Sequence, residues 1–152
     1  FTGWGAPHWD PKARGLLLGL TRDSKKEHIA RAGLEGIALS IATLIDIAEE
    51  TLNNSLKELA VDGGAAASDP LLQAQADSTG LIVRRPANLE STARGVALLA
   101  GLQSKAIPNL NNLIASRKQS EKLFTPKINS EERSLWKKKW NAAVKRSLHW
   151  HE

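Results

Sequence analysis

The 152-residue sequence predicts an α/β fold, with parallel strands joined by crossover helices and an amphipathic helix at the C-terminal end. Three observations carry this. Residues 23–52 keep a helical apolar period without a break, and two short apolar runs, 56–61 and 81–85, each lead into a helical segment, 69–78 and 91–104. The last stretch places Trp136, Trp140, Ala143, Val144 and Ser147 on one face. Strands alternating with helices imply parallel pairing through right-handed crossovers.

The opening FTGWGAPHWDPKARG is dense in Gly, Pro and Asp and has no period, so it is expected as a loop, pinned by Trp4 and Trp9. Residues 15–20 form an apolar run bounded by Gly15 and Thr21 and are expected as a buried strand or hairpin arm. Asp23 or Ser24 is the expected cap of the long helix, with Glu27 in its first turn. Ile29, Gly33, Ile37, Ile41 and Leu44 make one stripe of that helix, and Ala30, Leu34, Ala38 and Ile45 a second, so it should pack on several sides. Gly33 and Gly36 each cost a helix about 1 kcal/mol against Ala; another backbone is expected to come close there. After Pro108 the pattern thins to an Asn-rich stretch, a short helix at 110–116 and an apolar-polar segment at 123–128. In the final helix Lys137, Lys138, Lys145 and Arg146 point away from the tryptophan face and are expected in solvent.

Composition narrows the function. A content of 41% hydrophobic residues is enough for one core, and with Phe1 at its start and no Met the stretch is expected to be a piece, a single partial domain over 1–152. It opens on no secretory pattern and holds no apolar run of about 18 residues, so no membrane span and a cytoplasmic setting are expected. With no Cys there is neither disulfide nor thiolate zinc site. The net charge of +5 is uneven: residues 1–115 hold 11 basic and 12 acidic groups, residues 116–152 hold 10 and 4. Basic character confined to the tail does not make a phosphate-tracking surface, and no nucleic-acid partner is expected.

Chemistry concentrates in ELAV followed by DGGAAAS and a helix. Paired glycines after a strand let a ligand approach bare backbone, and amides at a helix start favour phosphates or polar ring edges. A tight turn that binds nothing is the competing reading. Asp62, just before the glycines, could face a nucleotide-bound magnesium ion or only accept turn amides. Glu35 on its apolar helix is expected to find a structural hydrogen bond, and His149, His151 and Glu152 are expected in solvent rather than on a metal.

Motifs along nearly the whole chain resemble glycerol kinases of the FGGY carbohydrate kinase family. FTGWGAPHWDPKARG is similar to F-x-G-L-x-A-P-Y-W-D-P-x-A-R-G, with Trp4 for Leu and His8 for Tyr. GLLLGLTRDSKKEHIARAGLEG resembles the second family signature, departing at Gly33. VDGGAAASDPLLQAQADSTGLIVRRPANLESTARGVALLAG resembles its most diagnostic block, and FTPKINSEERSLWKKKWNAAVKRSLHW its usual C-terminus. Leu39, Ser40, Ile41, Ala42 and Thr43 stand where Tyr-Gln-Thr-Arg-Asp is usual, and Arg94 where Leu is.

The resemblance implies the latter part of an actin-like, ribonuclease-H-like ATPase domain. In the whole protein it implies transfer of the ATP γ-phosphate to glycerol, giving sn-glycerol 3-phosphate, with Mg2+ as cofactor and a homo-oligomer as the assembly. Glycerol would be held mainly by an N-terminal domain absent here, as are the phosphate loop and the general base. No catalytic residue is therefore assigned, and the fragment alone is expected to be inactive. The implied cofactor-binding set is Gly63, Gly64, Ala65 and Ser68, in which Gly64 and Ser68 match the glycine and the Asn that contact adenosine in the family. Ser68 replaces that Asn, and Asp69-Pro70 replaces Asn-Phe. A kinase for another small polyol or sugar and a non-catalytic interaction module are the alternatives.

Overall fold

The computed structural model describes residues 3–107, 109 and 121–150. In chain order its elements are α1 (Lys26–Leu52), β1 (Glu58–Ala60), a 3₁₀ turn (Gly64–Ala67), α2 (Asp69–Thr79), β2 (Ile82–Pro86), α3 (Ser91–Gln103), β3 (Glu121–Phe124) and α4 (Ser130–Ser147). The predicted helix at 110–116 lies outside the described residues.

The sheet order is β1-β2-β3. β1 and β2 pair in parallel as expected, whereas β3 runs antiparallel to β2, so the sheet is mixed. Leu59 is in register with Val83, and Val83 with Phe124. That row meets Leu72 and Ala76 of α2 and Ala66 of the 3₁₀ turn in the main core, where Leu72 and Val83 are fully buried. Small residues carry the second core: Ala38 of α1 meets Leu71 and Ala74 of α2, with Leu34 and Trp136 packed against them. Alanine there lets the two helices come close, and α2 is buried along almost its whole length.

Helix ends follow local chemistry. Ser68 caps α2 by accepting from Leu71 N at 3.4 Å, Pro70 occupies the first turn where its missing N–H costs nothing, and Gly80 closes the helix at φ +80°. α4 opens on a reciprocal pair, Glu132 N donating to Asn129 Oδ1 at 2.9 Å and Asn129 N to Glu132 Oε2 at 3.2 Å. For α1 the expected cap is corrected. Ser24 is spent in the preceding turn, accepting from Thr21 N, and Lys25 holds the cap position with its N–H donated to His28 Nδ1 at 3.2 Å.

Further expectations are overturned. Residues 15–20 form no strand, and Leu17, Leu18 and Leu20 are exposed, because none of the described strands pairs with this run. Trp4 does pin the opening loop, donating from Nε1 to Ser147 Oγ at 2.8 Å and meeting Trp140 edge to face, but Trp9 is 75% exposed. No backbone approaches Gly33, and Gly36 faces the Trp140 ring, 3.7 Å from where a Cβ would stand. Lys137 is not solvated like Lys138: its Nζ donates to both carboxylate oxygens of Asp46, at 2.6 and 2.9 Å, tying α4 to α1. Glu35 has its structural partner, accepting from Arg31 Nε at 2.6 Å.

Candidate functional site

Gly63, Gly64, Ala65 and Ser68 come together in the turn that carries β1 into α2. Pairing with β2 continues one step past β1 through Val61 N to Arg84 O at 3.0 Å. The chain then turns at Gly63, whose φ of +82° and ψ of 175° lie in a region essentially restricted to glycine. Its N–H is held by Leu89 O at 2.8 Å, and its carbonyl accepts from Ala66 N at 3.0 Å. Gly64 differs in being exposed and in having no positive φ; a Cβ built at either glycine would meet nothing within 4 Å. The two glycines thus serve separate ends, one making the turn and the other leaving open space above it.

Ser68 N donates to Ala65 O at 3.1 Å, and its hydroxyl oxygen serves the α2 cap. Asp69, which the sequence marks only as part of a departure from the family pattern, is the electrostatic centre. Its Oδ1 accepts from Arg85 Nη1 at 2.8 Å and its Oδ2 from Lys122 Nζ, so one carboxylate joins the start of α2 to β2 and β3. Arg85 also donates to Ala66 O at 2.9 Å and Ala67 O at 3.2 Å, and both cations lie over the Phe124 ring. The available signal was an acid in the first helical turn beside paired cations; their meeting depends on strand register, which spacing does not reveal. A pocket of about 410 Å³ opens beside this clamp, lined by Ala67, Arg85, Pro86, Leu89 and Lys122 among others. The four sequence-predicted residues do not line it. Asp62 is exposed, and among the described residues no cluster of His, Asp or Glu could hold a metal ion. His149 is held by its backbone, its N–H donating to Asp10 Oδ2 at 2.7 Å, and His151 and Glu152 lie outside the described residues.

The hydrogen bond from Lys122 holds the Asp69 carboxyl below its ordinary pKa of 3.8, with Arg85 acting in the same direction against partial desolvation. A depressed folded-state pKa contributes stability that is present above the ordinary value and lost as pH falls through the folded one. Asp69→Asn is therefore expected to flatten the fall in thermal midpoint between about pH 5 and about pH 2. Calorimetric melting of both proteins across that range checks it, and parallel acid slopes would show that the clamp adds no pH-dependent stability.

Comparison with known proteins gives a consistent picture. The model of the FGGY family of carbohydrate kinases, C-terminal domain, matches residues 1–104. A glycerol kinase of Acinetobacter baylyi is 46% identical over 97% of the chain and 30% of its own length. Glycerol kinase 2 of Saccharolobus solfataricus is 46% identical over 100% of the chain and 30% of its own length. The crystal structure of Plasmodium falciparum glycerol kinase with ADP superposes with a TM-score of 0.85 at 32% identity, covering 97% of this chain and 29% of that one. A xylulose kinase of Lactobacillus acidophilus follows at a TM-score of 0.66 and 26% identity, covering 93% and 28%. The chain thus spans about 30% of the length of the relatives it matches. None of the helices among the described residues is long and apolar enough to cross a membrane.

Proposed function

Because this chain belongs to the FGGY family of carbohydrate kinases, we propose that it works within an ATP-dependent kinase that phosphorylates glycerol to sn-glycerol 3-phosphate, and that residues 1–152 are part of its closing domain. Identity of 46% with glycerol kinases across nearly the whole chain is the observation that carries the choice of acceptor. Within the chain, the turn at Gly63, Gly64, Ala65 and Ser68 is assigned to the adenosine side of ATP. Open space above Gly64 supports that assignment, since a flat nucleoside can lie on backbone only where no Cβ intervenes. The Ser68 hydroxyl, with its oxygen engaged by Leu71 N, still has a proton to donate toward a ring nitrogen.

Magnesium would neutralise the transferred phosphates, and it is assigned to the phosphates and to residues outside this chain rather than to Asp62. The proposed assembly is a cytoplasmic homo-oligomer. A kinase for another small polyol or sugar is the second reading, favoured by the likeness to the xylulose kinase.

Steady-state phosphorylation by the whole protein across glycerol, erythritol, xylulose and gluconate tests the proposal. Glycerol is expected to give a kcat/KM at least about tenfold above the others, and the 152-residue chain alone to give no turnover. Preference for another acceptor supports the second reading. Absence of turnover by the whole protein on all four would overturn the glycerol assignment and favour a non-catalytic module.

A further inference from the structure

A second pocket, of about 280 Å³, lies away from the glycine turn, where the opening loop meets α1 and α4. Its walls carry the indoles of Trp4 and Trp140 together with His8, Ser40, Thr43 and Asn141, and its remaining lining is small or aliphatic. The two indoles meet edge to face with centroids 5.8 Å apart, and the His8 ring packs on Trp4 at 5.9 Å. Both indole N–H groups are already engaged, Trp4 with Ser147 Oγ and Trp140 with Thr43 Oγ1 at 3.3 Å, so the rings offer the pocket carbon surface rather than donors. Trp4 and His8 line it from the opening loop, and Ser40 and Thr43 from α1.

We infer that this pocket between the opening loop, α1 and α4 is a binding site for a neutral single-ring aromatic molecule carrying one hydroxyl or N–H donor. Size sets the first limit: a dry apolar cavity of roughly 150 Å³ holds benzene, so 280 Å³ admits one substituted ring and little more. Charge sets the second. Among the described residues no Lys, Arg, Asp or Glu lines the pocket, so an ion would meet no permanent opposite charge there. Planarity follows from the aromatic walls, against which a flat ring can stack or meet edge to face. The donor follows from Ser40 and Thr43, whose hydroxyl protons are taken by Gly36 O at 2.9 Å and Leu39 O at 3.0 Å. Toward a ligand the Ser40 oxygen can therefore act only as an acceptor, and a bare hydrocarbon would leave that acceptor capacity unfilled.

Phenol is the probe, titrated into the purified full-length polypeptide by calorimetry and by ligand-observed saturation-transfer NMR, with toluene as the partner lacking a donor. Saturable phenol binding with a dissociation constant of about 1 mM is expected, toluene binding several-fold more weakly. Saturating ATP should not displace phenol, which separates this site from any ring-binding nucleotide pocket. Ser40→Gln puts a larger side chain on the α1 wall of the pocket and is expected to weaken phenol at least about tenfold. Should that variant fail to fold, Asn141→Trp decides instead, because Asn141 is exposed and a bulky side chain there closes the pocket from outside. No saturation up to about 20 mM phenol, displacement by ATP, or undiminished binding in the folded blocking variant overturns the inference.

Discussion

If the proposed function holds, Gly64→Leu in the whole protein is expected to raise the KM for ATP by about tenfold to a hundredfold while moving the KM for glycerol less than about twofold. The structure makes this a clean probe. A Cβ at Gly64 meets no atom within 4 Å and the residue has no positive φ, so the fold should accept the side chain without strain. What the leucine fills is the open space assigned to the nucleoside. Since adenosine is remote from the transferred phosphate, loss there removes binding common to ground and transition states, and kcat should stay within about threefold. Steady-state kinetics varying each substrate in turn, alongside a melting curve, measures all of this. Equal rises in both KM values, or an unchanged KM for ATP in a folded variant, would remove the adenosine assignment from this turn.

Its neighbour should behave in the opposite way. Gly63→Ala is expected to lower stability by about 1 to 3 kcal/mol, whereas Gly64→Ala should be nearly neutral. At Gly63 a Cβ also meets nothing within 4 Å, so the cost is torsional: φ of +82° with ψ of 175° is a conformation an L side chain resists. Relief would rotate the peptide and give up the bond from Gly63 N to Leu89 O, through which the turn is held beside the end of β2. Urea unfolding of both variants gives the comparison directly. A neutral Gly63→Ala with a costly Gly64→Ala would mean that the turn takes another shape in solution.

Those two glycines show what a sequence can and cannot convey. That DGG after a strand marks a turn was legible, because small residues and a following helix cap are local chemistry. Which glycine bends was not, because that depends on the carbonyl of Leu89, three residues past β2, meeting Gly63 N. Helix spans were legible wherever a 3.6-residue period was long, as in α1 and α4. By contrast, the direction of β3 was not, since an apolar-polar segment after an Asn-rich connection carries no information about orientation. The run at 15–20 reads as a strand because its composition is that of one, yet a strand needs a partner, and this run pairs with none of the described strands. In the candidate site, the Asp69 clamp escaped notice because its partners lie 16 and 53 residues away. Lys137 misled for a related reason: a lysine beside a tryptophan face looks solvated until a carboxylate on another helix comes within reach.

The closure of the opening loop on the last helix has a consequence for how the chain is made. Trp4 reaches its hydrogen-bond partner 143 residues later, and Asp10 reaches His149. At a synthesis rate of about 5 to 20 residues per second, Trp4 waits roughly 7 to 30 s for Ser147 to be added, and longer for it to clear the ribosome. Throughout that interval the Trp4 indole, the α1 face around Gly36 and Thr43, and the carboxylate of Asp46 lack the partners that α4 will bring. The glycine turn is in a similar position, being translated long before Lys122 arrives to complete the Asp69 clamp beside it. Assembly of this region therefore waits on the segment that runs from β3 through α4, which brings the partners of Trp4, Asp46 and Asp69.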